Sequence, residues 1–284
     1  MTHRPYQRSA LPDAPKAQGK ALMCCAVPTG DVVISLEASG SPVSHAPKLH
    51  TGVVAAMNLL ADEVMQVLVR LPEGKDLPFT AGQYINIVLA DGQRRAFSFA
   101  NPPQQREFIE LHVRRIPGGR FTGHVFDGMK PGDTLDFDGP LGSFTLKDSE
   151  RPILFVAGAT GFAPVKSIVQ DAFARGLART MHLYWGVRER KDLYQLQLVQ
   201  QWAREHGNFK VTPVLSQAQP QDEWTGRTGL VHEAMLADHA DLTGFEVYVC
   251  GSVQMVETAV PNFLAHGLSE GACFTDAFLP SHAT

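Results

Sequence analysis

From residue 151 to the C-terminus, apolar runs of strand length alternate with segments of helix length: PILFVAG then APVKSIVQDAFARG, TMHLYWG then DLYQLQLVQQWAREHG, FKVTPVLS then LVHEAMLADH, FEVYVCG then QMVETAVPNFLAHG. Successive strands separated by a helix must pair in parallel, and their continuous apolar character requires both faces of the sheet to be covered. This rhythm predicts a doubly wound α/β domain over residues 149–284, built on a parallel sheet.

Two turns in that domain carry chemistry. In LFVAGATGFAP, residues 154–164, a strand runs into Gly158, Ala159, Thr160 and Gly161 and then into a helix with Pro164 in its first turn, where proline is tolerated because the early amides lack intrahelical partners. Such a turn offers backbone N–H groups and a helix N-terminus to a pyrophosphate. The same glycines also suit a plain tight turn, since glycine is the default wherever φ must be positive. A second strand, FEVYVCG, ends at Cys250 and Gly251 and is again followed by a helix, this one carrying Met255. Two strand ends that deliver small residues to one edge of a parallel sheet predict a dinucleotide crevice.

Residues 50–148 have a different texture: short runs of period-two alternation (GVVAAMNLL, EVMQVLVRL, YINIVL, RRAFSFA, EFIELHVRRI, DTLDFDGP), with RFTGHVFDGM as the plausible helix among them. They predict a small antiparallel β-barrel. The run RRAFSFA is halted by Asn101, Pro102 and Pro103, and proline cannot continue a ladder. Within it Arg95 offers a planar fork to a phosphate, Phe97 a ring face and Ser98 a hydroxyl. In RRIPGGRFT, Gly118 and Gly119 permit close backbone approach, and Thr122 is placed to cap the helix while donating to an anion. An anion-binding turn beside a nucleotide crevice is what two dinucleotides meeting ring to ring require.

With these motifs together, the chain from about residue 50 to 284 resembles the ferredoxin–NADP reductase superfamily, in the branch of reductase components of multicomponent oxygenases and of a CDP-6-deoxyhexulose dehydrase. The resemblance implies an FAD-binding antiparallel β-barrel (50–148) followed by an NAD(P)-binding α/β domain (149–284). RAFS (Arg95, Ala96, Phe97, Ser98) resembles the flavin motif Arg-x-Tyr/Phe-Ser, with Arg95 on the FAD pyrophosphate, Phe97 on the isoalloxazine and Ser98 near flavin N5. PGGRFT resembles the second flavin-phosphate segment, assigning Gly118, Gly119 and Thr122 to it; His112 and Val113, on the strand before it, join the cofactor-binding residues. GATGFAP resembles the pyridine-nucleotide motif GGTGxAP (Gly158, Thr160, Gly161, Pro164), VCGSVQM the Cys-Gly motif near the nicotinamide (Cys250, Gly251, Met255), and FTDAF the C-terminal aromatic segment beside the flavin (Phe278). Ser98 and Cys250 are the residues expected at the reacting atoms. Three positions depart from the family pattern: Phe97 lacks the hydroxyl of the commoner tyrosine, Ala159 replaces a glycine, and Val253 stands where proline is frequent.

The implied activity is electron transfer from NADH or NADPH through bound FAD to a one-electron acceptor, an iron–sulfur protein or an oxygenase component. The alternatives are a flavin reductase that releases its product and an electron-transfer subunit without turnover of its own. Arg188, Arg190 and Lys191 suit a 2′-phosphate, or a solvated loop, while the branch leans to NADH. The N-terminal segment GKALMCCAVPTGDVVISLE resembles the end of a plant-type [2Fe–2S] ferredoxin domain, with Cys24 as the fourth ligand, so residues 1–49 read as a domain remnant plus linker. No cysteine precedes Cys24, and one thiolate cannot hold a cluster that needs four. No [2Fe–2S] cluster is therefore expected in the chain as given, either because the domain has decayed or because the reading frame begins further upstream. Cys24 and Cys25 read equally as small core residues.

Other functions find little support. A net charge of −4 and the absence of a Lys/Arg run exclude a nucleic-acid footprint. No apolar run approaches the roughly 20 residues that cross a bilayer, and the first twenty residues lack an apolar signal region, so a cytoplasmic location is expected. There is no HExxH, GxSxG or CxxC; His112, His182, His232 and His266 stand without a metal-ligand partner and read as structural or solvated.

Overall fold

The computed structural model describes residues 2–3, 16–17, 19, 21–22, 25–32 and 48–278, and the chain divides into two compact units, Met1–His45 and Ala46–Thr284. In the first unit, β1 (Thr2–His3) pairs antiparallel with β2 (Ala26–Val27). Cys24, which resembles the last ligand of a ferredoxin domain, lies outside the described residues.

The second unit holds both predicted sheets. Strands β3 (Leu49–Ala61), β4 (Val64–Arg70), β5 (Tyr84–Val88), β6 (Arg94–Ser98), β7 (Ile109–Arg114) and β8 (Thr134–Leu141) form an antiparallel sheet in the order β6-β5-β8-β3-β4-β7. Period-two alternation sends Ile85, Ile87, Leu111, Val113 and Phe137 to one core. Helix α1 (Arg120–Asp127) links β7 to β8 and buries Phe121 and Val125 in that core.

This barrel does not close along its whole length. The edge strand β6 and its flanking residues turn their odd-numbered main-chain groups toward β5, as Phe99 N–H donates to Gln83 O and Gln93 O accepts from Leu89 N–H. Alternation therefore points the main chain of Ala96 and Ser98 away from β5. On the other edge strand, β7, Glu110 O accepts from Ala100 N at 2.8 Å and Arg115 N donates to Glu63 O on the β4 side. The same alternation turns the main chain of His112 and Arg114 to the outer edge. The two edges are thus stitched at Ala100–Glu110 and leave a seam beyond it.

Strands β9 (Ile153–Gly158), β10 (Met181–Val187), β11 (Phe209–Leu215), β12 (Arg227–Thr228), β13 (Glu246–Ser252) and β14 (Cys273–Phe278) form the parallel sheet, ordered β12-β11-β10-β9-β13-β14. β9 is central and buried on both faces: Ile153, Phe155 and Ala157 enter one core, Leu154 and Val156 the other. Helices α2 (Phe162–Ala174) and α3 (Leu196–Glu205) cover the first face, α4 (Val231–Asp238) and α5 (Val253–Ala265) the second. The chain leaves β9 for β10 on one side and returns to β13 on the other, so the strand order reverses between β9 and β13. That switch point opens a crevice at the carboxyl ends.

Barrel and α/β domain share core. Ala81 and Phe144 of the barrel pack with Ile168 of α2, and the Phe144 ring meets Tyr248 of β13 edge-on at 5.7 Å. A Cβ on Gly82 would lie 2.8 Å from Ile168 Cδ1, and its φ of +93° is one that glycine alone adopts readily. Among the described residues no helix is long and apolar enough to cross a membrane.

Candidate functional site

At the wide end of the seam, α1 begins after Gly119, which has extended φ/ψ and offers no side-chain cap. The first helical amides therefore have no intrahelical acceptor and face outward. Thr122 is not the cap: its Oγ1 accepts from Ile116 N at 3.2 Å and lies 3.3 Å from Gly119 O. That hydroxyl occupies the space a Cβ on Gly119 would need, and Gly118 takes φ +72°. A cleft of about 760 Å³ opens here, beside Pro117, Gly118, Gly119 and Arg120. Arg120 reaches across to Asp91 at 2.6 Å. Arg95 folds on its own hairpin, donating to Arg94 O at 2.9 Å and Gln93 Oε1 at 2.6 Å, and Phe97 packs 5.3 Å from Phe121.

His112 and Val113 present interior side chains. Val113 is fully buried in the barrel core, and the His112 ring bonds Glu110 through Nε2 at 2.9 Å and Tyr194 through Nδ1 at 3.0 Å. What His112 offers the seam is its main chain. Open main-chain edges on Ala96, Ser98 and His112 and the uncapped helical amides that follow Gly119 fit a long anionic ligand with a flat head, as FAD has.

In the crevice the carboxyl ends of β9 and β13 pack glycine to glycine. A Cβ on Gly251 would come 3.3 Å from Gly158 Cα, one on Gly158 would strike Met255 Sδ at 2.5 Å, and one on Gly161 would overlap the Cys250 carbonyl. Thr160 and Pro164 are buried in the turn and the first turn of α2. Ala159 has φ +47°, a left-handed conformation that costs an L-residue about 1 kcal/mol. Trp185 Nε1 donates to its carbonyl at 3.0 Å and so holds the turn. β13 passes directly into α5, whose cap Ser252 accepts from Met255 N at 3.2 Å. These bare turns fit a pyridine dinucleotide laid over the strand ends.

Seam and crevice meet at one point. Ser98, at the end of β6 and 6% exposed, points its Oγ at Asp276 Oδ2 (3.5 Å), and Cys250 Sγ lies 3.9 Å from the same oxygen. Asp276 sits on β14 opposite Cys250. Burial pushes its carboxyl up to about 6, against the Ser98 and Cys250 contacts that pull it down. Burial first, then the Asp276 charge, hold the Cys250 thiol well above the ordinary range. Phe278, at the end of β14, is partly buried and packs on the core beneath; residues 279–284 lie outside the described set.

Asp276 was not among the residues expected at the site. FTDAF stands out in the sequence for its aromatic residues alone, and the strand β14 that it forms carries Asp276 to the site. Its place after the last helix, where a further strand continues the βα rhythm, is the signal for it.

An open seam in a barrel, joined through Ser98, Asp276 and Cys250 to a crevice at the switch point of a parallel sheet, has the layout of a flavin- and pyridine-nucleotide-dependent oxidoreductase. The chain matches the family description "Oxidoreductase FAD-binding domain" over residues 52–146 and "Oxidoreductase NAD-binding domain" over 155–260. It is 37% identical over 277 residues to the CDP-6-deoxy-L-threo-D-glycero-4-hexulose-3-dehydrase reductase of Yersinia pestis, covering 97% of this chain and 82% of that protein. It is 36% identical over 276 residues to the phenol 2-monooxygenase reductase component DmpP of Pseudomonas sp. (strain CF600), covering 95% and 77%. Among solved structures it is similar to the Amycolatopsis cytochrome P450 reductase GcoB, with TM-score 0.82 and 34% identity over 99% of this chain and 85% of that one. The chain belongs to the ferredoxin reductase-like family of FAD- and NAD-binding oxidoreductases, in the branch of reductase components. The two-domain fold and the FAD and NAD(P)H cofactors expected from the sequence are those of this family.

Proposed function

We propose that this protein takes electrons from NADH or NADPH onto bound FAD and passes them singly to an acceptor, an iron–sulfur protein or an oxygenase component, in the cytoplasm. The observation that carries this reading is the convergence of Ser98 from the barrel with Cys250 and Asp276 from the parallel sheet. The working division is a remnant and linker at 1–49, an FAD domain at 50–148 and an NAD(P) domain at 149–284.

The chemistry FAD supplies when bound is acceptance of a hydride from reduced nicotinamide and return of its electrons one at a time. The chain's own part is alignment and electrostatics. Arg95, the Gly118–Gly119 turn and the first helical amides up to Thr122 hold the flavin diphosphate, while the open edges of Ala96, Ser98 and His112 receive the rest of the flavin, Phe97 packs against it and Val113 lies beneath in the barrel wall. Gly158, Thr160, Gly161 and Pro164 hold the nucleotide diphosphate, and Cys250, Gly251 and Met255 line the nicotinamide end, with Phe278 beside it. Asp276, with a carboxyl near 6, holds or yields a proton at Ser98 Oγ near neutral pH. The relatives' names supply the acceptor class: a dehydrase in one case, a phenol monooxygenase in another.

The test is the visible absorption spectrum of the purified protein, before and after anaerobic NADH. A bound-flavin spectrum that bleaches supports a flavoprotein reductase, after which candidate acceptors are compared by their reoxidation of the flavin. A colourless protein that nonetheless oxidises NADH when FAD is added freely indicates a reductase that releases its flavin.

A further inference from the structure

A buried chain of side-chain hydrogen bonds joins the two halves of the oxidoreductase unit. Lys166, on α2, is 4% exposed, and its Nζ donates to Ala100 O and to Glu110 Oε2, each at 2.8 Å. Ala100 and Glu110 are the two residues at which the barrel seam is stitched. One ammonium group from the nucleotide half thus clasps both edges of the flavin half at the seam's narrow end. Beside it, Ser167 Oγ donates to Asn101 O at 2.7 Å.

From Glu110 the chain runs on. Its Oε1 accepts from Gln66 Nε2 at 2.7 Å and bonds His112 Nε2 at 2.9 Å. Burial favours the neutral acid, but the His112 hydrogen bond and the Lys166 charge outweigh it and leave Glu110 ionised, at about 2. A carboxylate only accepts, so His112 carries its proton on Nε2, and Nδ1 accepts from the Tyr194 hydroxyl at 3.0 Å. The Tyr194 ring stands edge-on to Trp185 at 5.2 Å. Trp185 in turn holds the carbonyl of Ala159 in the nucleotide turn.

Stability alone does not account for such a chain, because a buried ion pair of this kind is often no better than well-packed apolar residues. What it supplies is a fixed distance. We propose that Lys166 is a positioning residue: through Glu110, His112 and Tyr194 it sets the flavin seam in register with the nucleotide turn, and so sets the approach of the two cofactor rings. This inference rests on the proposed function of the same site.

The experiment compares FAD-loaded full-length protein with its Lys166→Met, Lys166→Arg and Tyr194→Phe variants, by anaerobic rapid mixing with NADH and by visible circular dichroism of the bound flavin without NADH. For Lys166→Met the limiting rate of flavin reduction is expected to fall at least ~10-fold, with the NADH concentration for half-maximal rate changed less than about twofold. The flavin dichroism is expected to change as well. Lys166→Arg keeps the charge and is expected to recover to within about threefold of the parent. Tyr194→Phe removes one oxygen from the far end of the chain and is expected to slow reduction about threefold, the decisive variant if Lys166→Met does not fold. Parental reduction rates and parental dichroism in Lys166→Met, or in Tyr194→Phe where that variant decides, overturn the positioning role even if the melting temperature drops. A parent protein whose flavin NADH does not bleach overturns the proposed function instead.

Discussion

Asp276 ties the chemistry of the site to the stability of the fold, and the tie has a sign. Its carboxyl is raised from 3.8 to about 6. A difference of about 2 units at about 1.4 kcal/mol per unit gives a ceiling of roughly 3 kcal/mol, and because Asp276 stays partly exposed, solvent screening reduces this to about 1–2 kcal/mol. Between about pH 4 and pH 6 the folded chain keeps a proton that the unfolded chain has released, so stability falls as pH rises through that window and the full penalty stands above it. Asp276→Asn removes the charge and keeps a polar side chain beside Ser98 and Cys250. It is expected to gain about 1–2 kcal/mol over the parent at pH 8 and nothing at pH 4, while flavin reduction slows. Urea unfolding of both proteins with saturating FAD, at pH 4, 6 and 8, measures the difference. A gain that is equal at all three pH values, or a loss at pH 8, refutes the reasoning.

Three further substitutions probe the frame around the site. Gly161→Ala puts a methyl group 2.6 Å from the Cys250 carbonyl carbon and 3.0 Å from Gly251 N; it is expected to cost about 1–3 kcal/mol in thermal or urea unfolding and to weaken NADH binding, since two backbones must part. Ala159→Gly relieves the left-handed φ of +47° and is expected to leave stability equal or up to about 1 kcal/mol higher, with NADH affinity unchanged or better. Arg179→Ala breaks the buried 2.7 Å pair with Glu246 at the edge of the sheet opposite the crevice. It is expected to cost about 3–5 kcal/mol in urea unfolding while FAD and NADH affinities, titrated below the transition, stay parental.

The βα rhythm was legible because β9 and its neighbours are buried on both faces, which leaves the sequence continuously apolar and the intervening helices nothing else to do. The barrel was legible from alternation, since one face of each strand meets a single core. Helix starts were less so. DLYQLQLVQQWAREHG reads as a helix from its beginning, yet α3 starts only at Leu196. The preceding residues form a short 3₁₀ turn at Arg190–Asp192, and Tyr194 is held aside by its bond to His112. A tertiary contact has overridden local propensity there. Thr122 fails as a cap for a related reason: its hydroxyl is engaged by Ile116 in the preceding loop, so the bare Gly119 opens the helix.

The glycine turns and RAFS are local devices, and local devices can be read from one stretch of chain. The residues that join them cannot. Ser98 and Asp276 stand 178 positions apart, His112 and Tyr194 82, Lys166 and Glu110 56, and neither a lone histidine nor a lysine in a helix announces a partner at such range. Those long separations are imposed by a site built where two domains meet. Each domain supplies half of each of these three pairs, so each half in isolation reads as a solvated or structural side chain. His112 illustrates the point: resemblance to the family assigns it to the cofactor, and lacking a metal-ligand partner at i+4 it reads as structural. Its place in the fold reconciles the two, with its main chain on the open flavin seam and its ring in the chain of bonds that reaches the nucleotide turn.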